Sequence, residues 1–196
     1  MANYLSETFE NKDFSSSPFE PSEFSDCRFI NCNFQDAKLS QSNFMECAFE
    51  NCDWSNADIS NCGLRDVFFR NCKLMGLRFD YINTFMMKFT FDACNLTYSS
   101  FYGLDLKGVS FQGSDLSEVN FEFANLSKSN LQETNLLNTR FDQTKLEKAS
   151  LLNAKNISIS PSRNSLKSCM IDKENLSGLL HEWQIDVRWT YVNPFS

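Results

Sequence analysis

Residues 29–44 read FINCNFQDAKLSQSNF, and in this stretch Phe29, Phe34, Leu39 and Phe44 recur at every fifth position. The same spacing extends without a gap from Phe9 to Phe79. A period of five fits neither the 3.6-residue turn of an α-helix nor the two-residue repeat of a flat strand. The chain must therefore turn a corner every five residues to keep these side chains on one side.

Apolar residues occupy 27 such central positions, in two series that differ in phase by two residues. The first series is Phe9, Phe14, Phe19, Phe24, Phe29, Phe34, Leu39, Phe44, Phe49, Trp54, Ile59, Leu64, Phe69, Leu74 and Phe79. The second is Leu96, Phe101, Leu106, Phe111, Leu116, Phe121, Leu126, Leu131, Leu136, Phe141, Leu146 and Leu151. A small residue most often lies two positions before each centre, so large and small side chains alternate.

This pattern resembles the pentapeptide-repeat family, whose unit is a small residue, a polar residue, Leu or Phe, and two polar residues. Residues 37–41 (AKLSQ) and 124–128 (ANLSK) match that unit closely. The resemblance implies an all-β solenoid, a right-handed quadrilateral β-helix in which four pentapeptides form each coil. Successive coils would stack about 4.8 Å apart. We expect this β-helix to cover residues 1–171, about 8.5 coils, with the phase break at about residues 80–90.

A 20-residue superperiod agrees with four repeats per coil. The sequences that begin at Phe9, Phe29, Phe49 and Phe69 each carry Asn two positions later. Stacked coils would place these residues one above another, in a ladder that can hydrogen-bond along the axis. Its predicted members are Asn11, Asn31, Asn51 and Asn71.

The phase break predicts a local irregularity in the solenoid near residues 81–86. One interpretation is a small bulge that presents apolar side chains to a partner, since loops on rigid scaffolds often carry function. The alternative is an irregular coil whose apolar residues pack inward. The side chains concerned are Tyr81, Ile82, Phe85 and Met86.

The end of the chain has a different pattern. Asp172 is a favourable N-cap for a helix with one apolar face, and the apolar–polar alternation at residues 185–189 predicts a short strand. Residues 172–189 resemble the C-terminal dimerisation module of the Qnr and MfpA group of topoisomerase-binding pentapeptide-repeat proteins, which implies a homodimer. We assign residues 190–196 to a tail. The predicted interface residues are Leu176, Leu179, Leu180, Trp183, Ile185 and Val187.

Acidic residues are concentrated in the first part of the chain, where residues 1–60 contain 11 Asp and Glu against 3 Lys and Arg. Several recur at multiples of 20 and would form carboxylate columns on stacked coils. We take these columns as candidate partner-binding sites, against the alternative of ordinary solvation. They are Asp26, Glu46 and Asp66; Asp13 and Asp53; and Glu10 and Glu50.

Composition also excludes several classes of function. The net charge of −7 disfavours direct binding to nucleic acid or to an anionic membrane, and no apolar run is long enough to span a bilayer. The start of the chain lacks a signal-peptide pattern, so we expect a cytoplasmic protein. The eight cysteines then predict reduced, core-filling thiols.

Nothing in the sequence predicts catalysis. His181 is the only histidine, and no phosphate-binding or dinucleotide-binding glycine motif occurs. Cysteines spaced by 20 would point in one direction along a wall and could not surround a metal ion. We therefore expect a non-enzyme without cofactor or metal.

The resemblance to the Qnr and MfpA group implies a protein that mimics DNA and binds DNA gyrase or topoisomerase IV. Such a protein would protect the enzyme from quinolones or toxins, or modulate its activity. The first apolar series has no inserted loop, however, unlike many Qnr proteins that carry two projecting loops. The alternative is a structural or interaction protein with a different protein partner.

Overall fold

A computed structural model of the chain describes residues 2–15 and 20–185, and within these residues the fold is a parallel β-solenoid. Its strands, in chain order, are β1 (Ala2–Leu5), β2 (Thr8–Glu10), β3 (Ser22–Ser25), β4 (Arg28–Ile30), β5 (Asn43–Met45), β6 (Ala48–Glu50), β7 (Gly63–Arg65), β8 (Val67–Arg70) and β9 (Phe89–Asp92). Strands β1, β3, β5 and β7 form one sheet, and β2, β4, β6, β8 and β9 form another. We call these sheets the first and second faces.

Isolated parallel bridges form two further faces. The third face rises from Asp13 through Asn33 and Asp53 to Lys155, and the fourth contains the bridges Lys38–Asp58 and Arg78–Ser100. After β9 the first and second faces also continue as single bridges, up to Ser165 and Met170. The predicted four-sided solenoid is thus confirmed.

The corners between faces depend on residues with left-handed backbone. Asp36 has φ +55°, its N–H donates to Ser55 O in the next coil, and the following Ala37 N–H donates back to Phe34 O. Positive φ at the third residue, closed by this bond, is the geometry of a type II turn. Left-handed residues recur two positions after most centres, including Asn31 and Asn51.

The interior consists of the predicted centres. Of the 27, 23 are buried, whereas Phe9, Phe14 and Phe141 are half-buried and Phe19 lies outside the described residues. Rings of successive coils stack face to face, with centroids 4.6 Å apart for Phe29 and Phe49. Phe29 therefore contacts the rings of Phe9 and Phe49 in the adjacent coils as well as those of Phe24 and Phe34 in its own.

The phase break shifts the stacking register from 20 to 22 residues. Gly63 still bridges Asn83, whereas Val67 pairs with Phe89. The two additional residues thus enter the chain between positions 83 and 89, close to the predicted site. Ring stacking continues across the break, with Phe69 and Phe91 centroids 5.5 Å apart.

A short helical segment follows the last coil. It consists of a 3-10 turn (Lys173–Asn175), one turn of α-helix (α1, Ser177–Leu180) and a second 3-10 turn (His181–Trp183). Asp172 occupies the predicted N-cap position with extended backbone, but its side chain makes no capping hydrogen bond. Its carboxylate instead accepts a hydrogen bond from the Asn153 N–H. Apart from Ile185, the predicted strand at residues 185–189 lies outside the described residues.

Candidate partner-binding surfaces

The corner between the first and second faces carries an unbroken acidic column. Asp26, Glu46 and Asp66 lie there on three successive coils, with φ values of +53°, +55° and +53°. The Asp26 N–H donates to Met45 O and the Glu46 N–H to Arg65 O, which joins each level to the next. All three side chains are exposed. We call this row of residues the first corner.

The column ends in neutral or basic groups. Ser6 Oγ donates to Asp26 Oδ2 at 2.9 Å on the coil before. On the coil after, Lys88 forms an ion pair with Asp66, its partner 22 positions earlier. Asp66 is thus neutralised, and Asp26 and Glu46 carry most of the unbalanced charge.

The other two predicted columns are interrupted. Asn33 lies between Asp13 and Asp53, and its Nδ2 donates to Asp13 Oδ1 at 3.2 Å. Hydrogen bonds from Ser15 hold the pKa of Asp13 below its usual value. Asp53 forms an ion pair with Lys73, with 3.2 Å between Oδ2 and Nζ. The prediction of a carboxylate column on this face was wrong. It considered only the acidic residues and overlooked Asn33, which occupies the coil between them.

The same correction applies to Glu10 and Glu50. Ile30 pairs with both residues and separates them in the second sheet. Glu50 also forms an ion pair with Arg28, with 3.0 Å between Oε1 and Nη2. Only the first corner, therefore, has the predicted contiguous acids.

At the phase break three of the four predicted bulge residues face outward. Tyr81, Phe85 and Met86 are 56%, 65% and 68% exposed, whereas Ile82 is buried in the core. The guanidinium of Arg78 lies 4.2 Å from the centre of the Tyr81 ring, and that of Arg65 lies 5.3 Å from the Phe85 ring. Ile82 is removed from the candidate site, because it fills the interior as the alternative interpretation required.

The helical segment docks on the last coil. Gly178 O accepts the Ile159 N–H at 3.0 Å, and a Cβ at Gly178 would lie 1.9 Å from Ile157 O. Asn175 Nδ2 donates to Ala154 O at 2.9 Å, and Glu182 accepts hydrogen bonds from Ser160 and Ser162. The segment thus closes the open end of the solenoid.

This docking changes part of the predicted dimer interface. Leu179 is partly buried because its side chain packs against the core of its own chain. Leu176 and Leu180 are half-buried, Trp183 and Ile185 are half exposed, and Val187 lies outside the described residues. The outer apolar side chains remain a candidate interface.

The cysteines lie along the inner wall of the solenoid. Seven are buried and Cys169 is half-buried, which confirms the predicted core position. The structure adds a role that the sequence did not indicate: the Cys32 N–H donates to Cys52 Sγ, and the Cys52 N–H donates to Cys72 Sγ, both at 3.4 Å. Burial raises the pKa of Cys47 and of Cys62 to about 12. Cys52 and Cys72 are therefore structural acceptors, and the thiols of Cys47 and Cys62 are unreactive at neutral pH.

Features typical of catalysis are weak in the described part of the chain. His181 is exposed, and its Nδ1 lies 3.0 Å from the Gly178 carbonyl oxygen of its own helix. Residues 2–15 and 20–185 contain no cluster of three or more His, Cys, Asp or Glu that could hold a metal ion. In the same ranges no helix has the length and apolarity needed to cross a bilayer.

Sequence comparison agrees with the geometry. A family model described as a pentapeptide repeat region matches residues 6–79 and 42–121, and a model of eight pentapeptide repeats matches residues 114–153. The chain belongs to the pentapeptide-repeat family. No curated protein matches this pentapeptide-repeat protein by sequence.

A solved structure with the same fold has low sequence identity to this chain. A trypsin-treated variant of QnrB1, a plasmid-mediated fluoroquinolone resistance protein, aligns with a TM-score of 0.63 and 18% identity, over 95% of this chain and 100% of the other. HetL, a pentapeptide-repeat protein involved in heterocyst differentiation regulation from the cyanobacterium Nostoc sp. strain PCC 7120, aligns with a TM-score of 0.43 and 16% identity, over 86% of each chain.

This pentapeptide-repeat protein also has a basic surface that the sequence analysis missed. Lys107, Lys128, Lys145 and Lys148 line a shallow groove of about 210 Å³ on the C-terminal half of the first face and first corner. All four are exposed. Reading the 20-residue rows for bases as well as for acids would have found them.

Proposed function

We propose that this pentapeptide-repeat protein is a non-catalytic, DNA-mimicking partner of a type II DNA topoisomerase, gyrase or topoisomerase IV. In this role it protects the enzyme from quinolones or gyrase toxins, or modulates its activity. It acts in the cytoplasm, where the topoisomerase works. The acidic N-terminal half of the solenoid is the surface that contacts the DNA-binding groove.

The charge density of this half carries the proposal. Residues 21–60 make two coils and contain seven carboxylates against Arg28 and Lys38, a net charge of −5. Two coils rise about 10 Å at the spacing of stacked strands, so the surface has about one negative charge per 2 Å. Duplex DNA carries one per about 1.7 Å of its axis. A groove that binds DNA therefore meets a similar linear charge here.

The first corner gives this charge a regular geometry. Asp26 and Glu46 project from adjacent coils of a rigid scaffold, with no flexible loop between them. Tyr81, Phe85 and Met86 follow at the phase break and would supply an apolar contact beside the charged one. The shared fold with QnrB1, whose name describes fluoroquinolone resistance, agrees with this function.

Dimerisation through the C-terminal segment is part of the proposal. Leu180, Trp183 and Ile185 leave apolar surface at the end of the solenoid, and a second copy would cover it. Two rods joined there would present an acidic surface at each end of the dimer. Leu179 is partly buried against the core of its own chain and would contribute less to the interface.

The basic groove favours a second candidate function. A surface that only imitates DNA has no use for four exposed lysines on the same face as its acids. An interaction protein that binds a different partner, with both acidic and basic patches, would use both halves. Binding to a protein that does not bind DNA would support this function.

The test is gyrase supercoiling with and without ciprofloxacin, with the protein titrated over a range of salt concentrations. We expect rescue of supercoiling, or its inhibition, at micromolar protein and low salt. The variant Asp26→Asn/Glu46→Gln should weaken this effect. A matched control is Glu118→Gln/Glu133→Gln, which removes two acids with the same left-handed backbone from other corners.

The outcomes separate the two functions. Loss of effect in the first variant but not in the control would support DNA mimicry by the first corner. Equal loss in both would show that net charge, and not this column, causes the effect. No effect of the natural protein at any salt concentration would overturn the topoisomerase proposal.

A further inference from the structure

Charge along the first corner reverses sign at the phase break. From the N-terminal end this row reads Ser6, Asp26, Glu46, Asp66, Met86, Gly108, Lys128, Lys148 and Ser168, one residue from each coil. The row is therefore symmetric about Met86. Positions at equal distance before and after Met86 carry serine and serine at the ends, and an acid and a base nearer the centre. The exception is Asp66, whose counterpart Gly108 is neutral, although Lys107 lies beside that glycine.

The acids and bases furthest from the break are free to bind another molecule. Glu46, Lys128 and Lys148 are exposed, and within residues 2–15 and 20–185 none of them has an opposite charge within 4 Å. The Asp26 carboxylate accepts a hydrogen bond from the neutral Ser6 hydroxyl and forms no ion pair with a described residue. In one chain these groups cannot meet, because Glu46 and Lys128 lie four coils apart, about 19 Å along the axis.

We propose that two copies of this chain associate side by side and antiparallel through the first face and first corner. A two-fold axis perpendicular to the solenoid and level with Met86 places Asp26 opposite Lys148 of the second copy, and Glu46 opposite Lys128. Because such an interface is isologous, each pair forms twice. Equal coil spacing in both copies keeps all pairs in register at once.

Neighbouring rows of the first face support the same arrangement. Glu23 lies three positions before Asp26, and Lys145 three positions before Lys148, so the same axis brings these two opposite charges together. Phe85 and Met86, at 65% and 68% exposed, would meet their own copies on the axis. The interface thus has an apolar centre and charged ends, as protein interfaces commonly do.

One row opposes the association and limits its strength. The axis brings Arg65 near Lys107 of the second copy, although Arg65 is held over the Phe85 ring of its own chain. Exposed ion pairs are individually weak and screened by salt. The dimer is therefore reversible, and its dissociation constant rises at least about tenfold between about 20 and 300 mM salt.

This association does not depend on the proposed function, yet it bears on it. The same Asp26 and Glu46 side chains that would face a topoisomerase are covered in the antiparallel dimer. Self-association would then compete with the basic partner. Because the experiment below uses the purified protein alone, its result is independent of any binding to gyrase.

Zero-length carbodiimide cross-linking at about 20 mM salt, followed by mass spectrometry, tests the geometry. We expect Glu46–Lys128 and Asp26–Lys148 cross-links, and mixed isotope-labelled and unlabelled protein should show that they join two copies. An end-to-end dimer through Trp183 does not bring Glu46 near Lys128, so it cannot produce them. Absence of both cross-links under these conditions would overturn the proposal.

Charge exchange gives a second test by sedimentation at low salt. Glu46→Lys or Lys128→Glu alone should weaken the dimer at least about tenfold by placing like charges opposite one another. The double variant Glu46→Lys/Lys128→Glu should restore it, whereas Lys155→Glu on the third face should have no effect. Failure of the double variant to recover association would refute the pairing.

Discussion

Asn51 Nδ2 donates a hydrogen bond to Asn31 Oδ1 in the preceding coil at 3.3 Å, and both residues have left-handed backbone, with φ of +54° and +53°. The predicted Asn ladder is therefore present between these two levels. A second property of asparagine also accounts for its presence at these positions. Asn tolerates positive φ better than most residues, so it is suited to the corner itself. The side-chain bond is exposed and adds little.

The first prediction separates these two causes at Asn51. Asn51→Ala should lower the free energy of unfolding by about 1 kcal/mol, because a Cβ without a compensating polar group is strained at positive φ. Asn51→Gly removes the same amide without that strain and should stay within about 0.5 kcal/mol of the natural protein. Urea unfolding measures both. Equal losses would assign the stabilisation to the ladder.

The second prediction concerns the sulfur acceptors of the inner wall. Cys72→Ala removes the acceptor of the Cys52 N–H and should cost about 1–3 kcal/mol, because a buried donor loses its partner. Cys72→Ser should cost less than Cys72→Ala. Serine already has this role in the same row, where the Cys94 N–H donates to Ser114 Oγ at 3.1 Å. A serine variant as unstable as the alanine one would contradict the acceptor role.

The third prediction concerns the close approach of Gly178 to Ile157. Gly178→Ala should destabilise the docked segment by about 1–3 kcal/mol, since the new Cβ would overlap the Ile157 carbonyl oxygen. Hydrogen exchange should then accelerate in residues 172–185 more than in the β-sheets. Ser177→Ala, at the exposed neighbouring position, is the control and should change stability by less than about 0.5 kcal/mol. Unchanged exchange in the glycine variant would mean that the helix does not dock as described.

The fourth prediction is a pH dependence at the same segment. The Ser160 hydroxyl holds the pKa of Glu182 below its usual value. A folded-state pKa below the unfolded one means that the carboxylate stabilises the fold at neutral pH. That contribution is fully present above the unfolded-state pKa and is lost as the pH falls through the lower folded-state pKa.

Comparison with Glu182→Gln isolates this effect from other acids. We expect the natural protein to be more stable than the variant at pH 7, and the difference to shrink as the pH falls and the carboxylate becomes protonated, as measured by urea unfolding. A difference that is independent of pH would indicate that the Glu182 side chain acts through packing and not through its charge.

Much of the candidate surface could have been read from the sequence with a more complete use of the 20-residue period. The interruption of Asp13 and Asp53 by Asn33, and of Glu10 and Glu50 by Ile30, follows from the same spacing that gave the columns. The lysines at positions 128 and 148 occupy the same row as Asp26 and Glu46. These errors came from following one residue type along each row. The 20-residue period assigns a residue of every coil to the row, and all of them should have been considered.

Sequence alone determined the fold, because the five-residue repeat of Phe and Leu admits no helix or flat strand and each coil repeats the contacts of the last. Only the tertiary structure decided how the side chains are placed where that repetition fails. At the break, Ile82 is buried, Phe85 and Met86 are exposed, and the two additional residues bring Lys88 to Asp66 across 22 positions. At the C-terminal end, Leu179 packs on the core and Gly178 meets Ile157. These contacts depend on how neighbouring coils fit in space, and a periodic pattern shows where its period changes without showing which side chains meet there.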